Sequence, residues 1–299
     1  MSTSAANLKA PQQARVLKKR TLWRDAMRSF LKNRLATAGL IVILIFVFMA
    51  VFADLISPAP YYKSVLSDNL QGPSAAHWMG TDMVGRDMLS RIIYGARTSL
   101  TVGFAVQAIA FLIGLPLGAL AGLRGGWADF FVTRLLEVMT AFPSFLFAIF
   151  LMSILGPSIP NVILAIGITS WIGVCRLTRA QLISLREREF VVAARSYGAN
   201  DMRVTLRHLL PHALPPLIIM LALGIPSAIF AEAGLSFLGV GINDPIPSWG
   251  KMVSESLGYI RVYWYLGFFP TIVIALAMLG FNFVGDGLRD ALDPTMYNV

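Results

Sequence analysis

The 299-residue chain has little charge. Only 14% of its positions are Asp, Glu, Lys or Arg, where a soluble domain carries roughly a quarter. With 56% of residues hydrophobic, a fold surrounded only by water is excluded, and most of the surface must face lipid. Cysteine is nearly absent as well. Cys175 stands alone, so no internal disulfide can form, and a lone thiol in an apolar run packs as a small hydrophobe. A phosphate-cradling loop is also missing. Gly250-Lys251 is followed by Met252 rather than Ser or Thr, and Pro245 stands where the leading glycine belongs. Any ATP must therefore bind a different chain.

The charge that remains is lopsided, 25 Lys plus Arg against 16 Asp plus Glu, a net +9. Basic excess suits nucleic acid or a membrane surface. Here the basic residues flank apolar runs without an aromatic-basic platform, so the membrane is the partner and nucleic acid is not. Runs long enough for a crossing of about 20 residues lie between Arg34 and Asp54, Arg97 and Arg124, His212 and Glu232, and Arg261 and Asp286. A longer run from Val138 to Cys175 is cut at Gly156-Pro157-Ser158-Ile159-Pro160-Asn161, where prolines and glycine end a helix. The sequence thus predicts an all-α membrane protein with six transmembrane helices. The first reads as an uncleaved span, because no small-residue cleavage site directly follows it.

Orientation follows from the basic residues. With both termini in the cytoplasm, nineteen of the 25 Lys and Arg fall on internal segments; only Lys63, Arg86, Arg91, Arg97, Lys251 and Arg261 are external. The expected organisation is a basic cytoplasmic tail (1–34), a first span (35–56), and an external amphipathic segment (57–97). A five-helix core (98–285) with an internal loop at 178–212 follows, then a cytoplasmic tail (286–299). Gly114, Gly118 and Gly122 line one helix face for close packing, and Pro116, Pro143, Pro226 and Pro270 bend or interrupt their helices.

No Asp, Glu, Lys or Arg lies near the middle of a span; Glu137, Glu232 and Asp286 all sit close to span ends. An ion-coupled secondary carrier, the rival reading, needs an ionisable relay at depth. An intramembrane enzyme needs a Ser-His, paired-Asp or HExxH arrangement there. The sequence offers neither, so it yields no catalytic, cofactor-binding or metal-ligating residue. His77, Asp82 and Asp87 would suit a divalent metal. Yet Asp82–Arg86 and Asp87–Arg91 have the spacing of helix ion pairs, so this segment reads as an amphipathic cap. Met83, Val84, Met88, Ile92 and Ile93 would pack down while the charges pair or face water. His208 and His212 also have a metal-like spacing, but Pro211 between them is expected to end the helix.

In the internal loop, Phe190, Ala193, Ala194 and Tyr197 form one stripe of a short helix. Glu187, Arg188, Arg195 and Ser196 leave the other side polar. Gly198 suits a left-handed helix end. Asn200 and Asp201 cap a second helix, with Met202, Leu206 and Leu209 on one side, Arg203 and Arg207 on another, and Pro211 closing it. Such a pair either lies on anionic headgroups or inserts into a groove of a cytosolic partner; the small alanines favour a groove.

Ala193-Ala194, Gly198 and Leu210-Pro211 resemble the "EAA" loop of permease subunits from bacterial ABC importers. Val192 replaces the leading Glu of that motif, and Glu189 lies one turn earlier near the same face. His77-Trp78-Met79-Gly80-Thr81-Asp82 with Gly85-Arg86-Asp87 resembles the external segment of the C-type permeases of dipeptide, oligopeptide and nickel importers. Glu232 to Gly239, Pro247-Ser248-Trp249-Gly250, and Gly285-Asp286-Gly287-Leu288-Arg289-Asp290 with Leu292-Asp293-Pro294 are similar to further segments of that family. The resemblance implies a type I ABC importer permease fold in the bacterial inner membrane, with a coupling helix around 189–211. It also implies a heterodimer with a related permease, two cytosolic subunits holding ATP and Mg, and an external solute-binding protein. Peptides or chelated nickel would be the cargo. The crowded charges at the inner end of the last span are expected to tie the tail to the coupling loop.

Overall fold

A computed structural model describes residues 22–292 of the chain, and these are almost entirely helical. Along the sequence run α1 (Leu22–Lys32), α2 (Arg34–Val51), α3 (Ala53–Ile56), α4 (Met88–Arg124), α5 (Gly126–Thr140) and α6 (Ser144–Leu155). They continue as α7 (Ile159–Arg186), α8 (Glu189–Ser196), α9 (Asp201–Val204), α10 (Leu210–Phe237), α11 (Trp249–Ser256) and α12 (Tyr265–Leu292). The α2, α4, α7, α10 and α12 helices are long and apolar enough to cross a membrane. Helices α5 and α6, bent by 78° at their junction, together pass the same test as one broken crossing. The described residues thus hold five candidate crossings, or six when that bent pair is counted as one, against the six that the apolar runs predict. The break falls at Pro143, which has no N–H to continue the ladder of α5.

Two expected boundaries shift. Residues 22–32, assigned to a basic tail, form α1, whose Ala26 and Phe30 pack on Ala36 and Ala291. Residues 1–21 of that tail and Asp293-Pro294 lie outside the described residues. The fourth crossing does not stop near Cys175; α7 continues to Arg186, which shortens the internal loop.

Helices α4 and α7 make the tightest long contact. A methyl added at Gly114, Gly118 or Gly122 would stand 2.7, 2.5 or 3.0 Å from the carbonyls of Trp171, Cys175 or Arg179. Because these are backbone atoms, neither helix can yield without moving as a body. The Gly118→Ala variant is expected to lose about 1–3 kcal/mol, read as a lower unfolding temperature of the detergent-solubilised protein. An unchanged temperature would mean that the seam is loose.

Around this seam, α4, α6, α7 and α10 share a core of Val102, Val106, Met152, Val162 and Ala228. A second core joins α2, α4, α10, α11 and α12 through Phe46, Leu100, Ile229, Trp249 and Phe281.

Candidate functional site

On the side of the membrane where α4 begins, Asp82 organises a charge cluster that is largely buried except at Asp244. Its Oδ1 accepts from the Val84 and Arg86 amides at 3.0 and 2.8 Å. Its Oδ2 accepts from Arg86 Nε at 2.5 Å and Arg91 Nη1 at 2.6 Å. Arg91, 1% exposed, also donates to Glu255 at 2.7 Å, and Arg86 donates to Asp244 at 3.1 Å. Lys251 Nζ stands 3.1 Å from the same Asp244 oxygen. Three acids thus balance three bases. Burial opposes the Arg86 charge, but Asp82 outweighs it and holds the guanidinium above its ordinary range. Burial likewise pushes Asp244 up, and the bonds from Lys251 and Arg86 overcome it, leaving the carboxyl below its usual range.

Residues 80–87 are not the helical cap expected from spacing. They form a tight turn in which Thr81 and Asp87 pair as an isolated bridge. Gly85, at φ +75°, lies so close to the chain at Val65 that an added methyl would meet its carbonyl at 1.9 Å. Asp87 does not pair with Arg91. It caps α4 by accepting from the Ser90 amide at 2.8 Å, and it bonds His77 Nδ1 at 3.0 Å. The oxygens of Asp82 and Asp87 therefore serve arginines, amides and a histidine. Met88, Ile92 and Ile93 do pack inward, while Val84 is exposed.

Trp249 joins this turn to the segment after α10. Its Nε1 donates to the Ile92 carbonyl at 3.0 Å and its amide to Ser99 Oγ at 3.2 Å. Glu232, fully buried, accepts from Ser236 at 2.8 Å and Ser248 at 2.7 Å. Tyr265 donates to the Thr81 carbonyl at 3.2 Å, against Gly80. Motifs some 150 residues apart in sequence are thus a single packed unit.

Deeper along the helices, α4, α6, α7 and α10 border a cavity of about 280 Å³. Gln107, Ser144, Thr169, Ser170 and Ser227 line it, and no ionisable side chain does. The Thr169 and Ser170 hydroxyls donate to the Ile166 carbonyl at 3.1 and 2.8 Å, and Ser227 to Leu223 at 3.4 Å.

At the opposite end, α8 is held by its own chain. Val191 is fully buried with Leu182 of α7, Val204 of α9 and Leu209 and Ala213 at the start of α10; Phe190 and Ala194 pack against the same cluster. The expected stripe is therefore divided. Phe190 and Ala194 turn inward, whereas Ala193 and Tyr197 face out, Tyr197 at 93% exposure. Glu189 and Arg195 are exposed as well. Gly198 ends α8 at φ +81°, and Asn200 caps α9 through the Arg203 amide at 2.8 Å, both as the residue types predict. Arg195 pairs with Asp201 at 3.2 Å.

The second helix does not close at Pro211. Residues 205–209 form one wide π turn, in which the Leu210 amide reaches back to the Thr205 carbonyl, and α10 continues through Pro211. Widening the turn ahead of a residue with no N–H lets the helix run on. Met202 and Leu206 are exposed rather than packed with buried Leu209, and Arg203 and Arg207 are exposed beside them. His212 stacks on Phe190 with ring centroids 4.9 Å apart and bonds the His208 carbonyl at 2.6 Å. The expected helix break between His208 and His212 is absent, and among the described residues no group of three or more His, Cys, Asp or Glu gathers to hold a metal.

Residues 114–297 match the family described as the inner membrane component of binding-protein-dependent transport systems. The chain belongs to this family. It is a permease subunit of an ABC importer, not an enzyme. Residues 21–73 also match the N-terminal transmembrane domain of oligopeptide transport permease C. The permease is 47% identical to the dipeptide transport system permease protein DppC of Alkalihalophilus pseudofirmus, over 92% of this chain and 90% of that one. It is 41% identical to the oligopeptide permease OppC of Bacillus subtilis, over 92% and 90%. It is 38% identical to the glutathione permease GsiD of Pectobacterium atrosepticum, over 93% and 92%. Its fold is similar to that of a chain in an inward-facing MetNI methionine ABC transporter, with TM-score 0.59 and 19% identity over 68% of this chain and 97% of that one.

The C-terminal motif of the permease packs differently from the tie to the coupling loop that its charges imply. A methyl on Gly285 would meet Leu223 of α10 at 2.4 Å, and one on Gly287 would meet Ala36 of α2 at 2.2 Å. Asp290 accepts from Asn33 at 3.4 Å, while Asp286 and Arg289 are exposed. Small residues here let α12 seat against α2 and α10, and the N-terminal helices take the place expected for the loop. The cavity was missed by local pattern, because its polar residues are single positions on four helices. The usable signal was Gln107, an amide within the apolar run of α4.

Proposed function

We propose that this permease forms half of a peptide-translocation pathway and is driven through the surface of α8 and α9 by a cytosolic ATPase subunit. The cavity between α4, α6, α7 and α10 is its share of the path. A related permease would complete the pore, with two ATP- and Mg-binding subunits inside and a solute-binding protein outside, where the turn at 80–87 and α11 lie. The bias of basic residues supports cytoplasmic termini in a bacterial inner membrane. The names of the similar permeases favour short peptides over chelated nickel.

The observation that carries this reading is the exposed apolar set Val192, Tyr197, Met202 and Leu206 on a loop otherwise locked to its own chain. Exposed apolar side chains on a rigid mount suit a partner's groove. The mount leads to the cavity, since α8 packs on the end of α7 and the start of α10, and both helices border the cavity. A push on α8 would therefore tilt the two helices together. Affinity for the ATPase must differ between its open and closed forms for ATP to drive that tilt. Glu189, exposed at the first turn of α8, would take over the contact of the Glu that Val192 replaces.

A photo-crosslinking residue at Tyr197 in cells that take up peptide is expected to capture the ATPase subunit. Capture of lipid alone, with normal uptake, would place this loop on the membrane and overturn the proposal.

A further inference from the structure

Gln107 sits near the middle of α4, half-buried at the cavity wall. The hydroxyls of Thr169, Ser170 and Ser227 are spent on carbonyls of their own helices. The Gln107 carboxamide, by contrast, has no hydrogen-bond partner among the described residues. It lies against Gly224 of α10, where an added methyl would stand 2.3 Å from its Oε1 and 2.8 Å from its Nε2. Gly224 thus leaves room for the amide to face the cavity. An amide without a partner at this depth is costly unless water or a solute supplies one.

We infer that the Gln107 carboxamide is a cargo contact that reads the peptide main chain, its NH2 donating to a backbone carbonyl and its Oε1 accepting from a backbone N–H. This rests on the cavity being part of the translocation path. Every residue of a peptide carries the same donor and acceptor, so one amide serves any sequence. The surrounding hydroxyls and small apolar groups carry no charge, so this half of the path does not sort peptides by the charge of their side chains.

The assembled transporter in proteoliposomes, supplied with labelled cationic, neutral and anionic peptides of one length, tests this. Gln107→Leu is expected to slow all three by about the same factor, on the order of tenfold. Gln107→Glu is expected to shift the cationic-to-anionic uptake ratio about tenfold from wild type. Gly224→Ala, which displaces the amide without removing it, should slow all three to a lesser degree. Modification of Ser227→Cys by a polar thiol reagent tests the path itself. If that modification blocks uptake while Gln107→Glu leaves the ratio unchanged, the cavity is the path and Gln107 is not a contact. If the modified protein transports normally, the cavity lies off the path and the inference falls with it.

Discussion

Replacing Gly198 by valine is expected to leave the permease inserted and assembled but to remove the stimulation of ATP hydrolysis by cargo-loaded binding protein. Gly198 has φ +81°, a region that a β-branched residue enters only as an outlier. The cost is about 1–3 kcal/mol. Nothing lies within 4 Å of an added methyl, so the strain is in the backbone alone. Relieving it breaks the turn in which the Gly198 amide donates to Arg195 at 2.9 Å and the Ala199 amide to Ala194 at 3.1 Å. That turn sets α9 relative to α8, and so spaces Val192 and Tyr197 from Met202 and Leu206. A partner's groove can match only one spacing. Stimulated hydrolysis should fall at least about tenfold, the equivalent of about 1.4 kcal/mol. Gly198→Asn should keep most of it, because asparagine enters this region more readily. Full stimulation in the valine variant would show that the loop does not transmit.

A larger loss, in stability rather than coupling, is expected from Asp82→Asn. The side chain keeps its shape and an oxygen for the Val84 and Arg86 amides, but its charge is gone. Arg86 and Arg91 would then be buried around Asp244 and Glu255 alone. Removing one partner from a buried ion pair costs about 3–5 kcal/mol, because the charge left behind is uncompensated. The loss is measurable as a lower unfolding temperature of the purified permease. Exchanging Asp82 and Arg91 together for apolar residues of similar volume should recover part of it. A single variant as stable as wild type would mean that water already reaches the cluster.

What the sequence made legible follows from the range of the forces involved. The candidate crossings could be located because bilayer thickness sets the length of an apolar run and charge ends it. Gly198 and Asn200 were readable as caps because capping is local chemistry. Of the charge cluster, spacing gave only the Asp82–Arg86 pair; Arg86 meets Asp244 158 positions away, and Arg91 meets Glu255 164 positions away, so spacing paired Arg91 with nearby Asp87 instead. The face of α8 failed for a related reason. Periodicity identifies an amphipathic helix, but the positions of Leu182 and Leu209 decide that Val191 and Ala194 turn inward. Pro211 was misjudged because a π turn absorbs it. Helix α1 was hidden among basic residues, although Ala26 and Phe30 stand at helical spacing.

The central claim is that an outside ATPase, engaging the permease by contact, supplies the energy for transport. Peptide uptake into proteoliposomes tests it most directly, with the purified permease pair compared with and without the ATPase subunits under an imposed ion gradient. Uptake is expected only when the ATPase subunits and ATP are both present. Accumulation driven by the gradient in their absence would contradict the account.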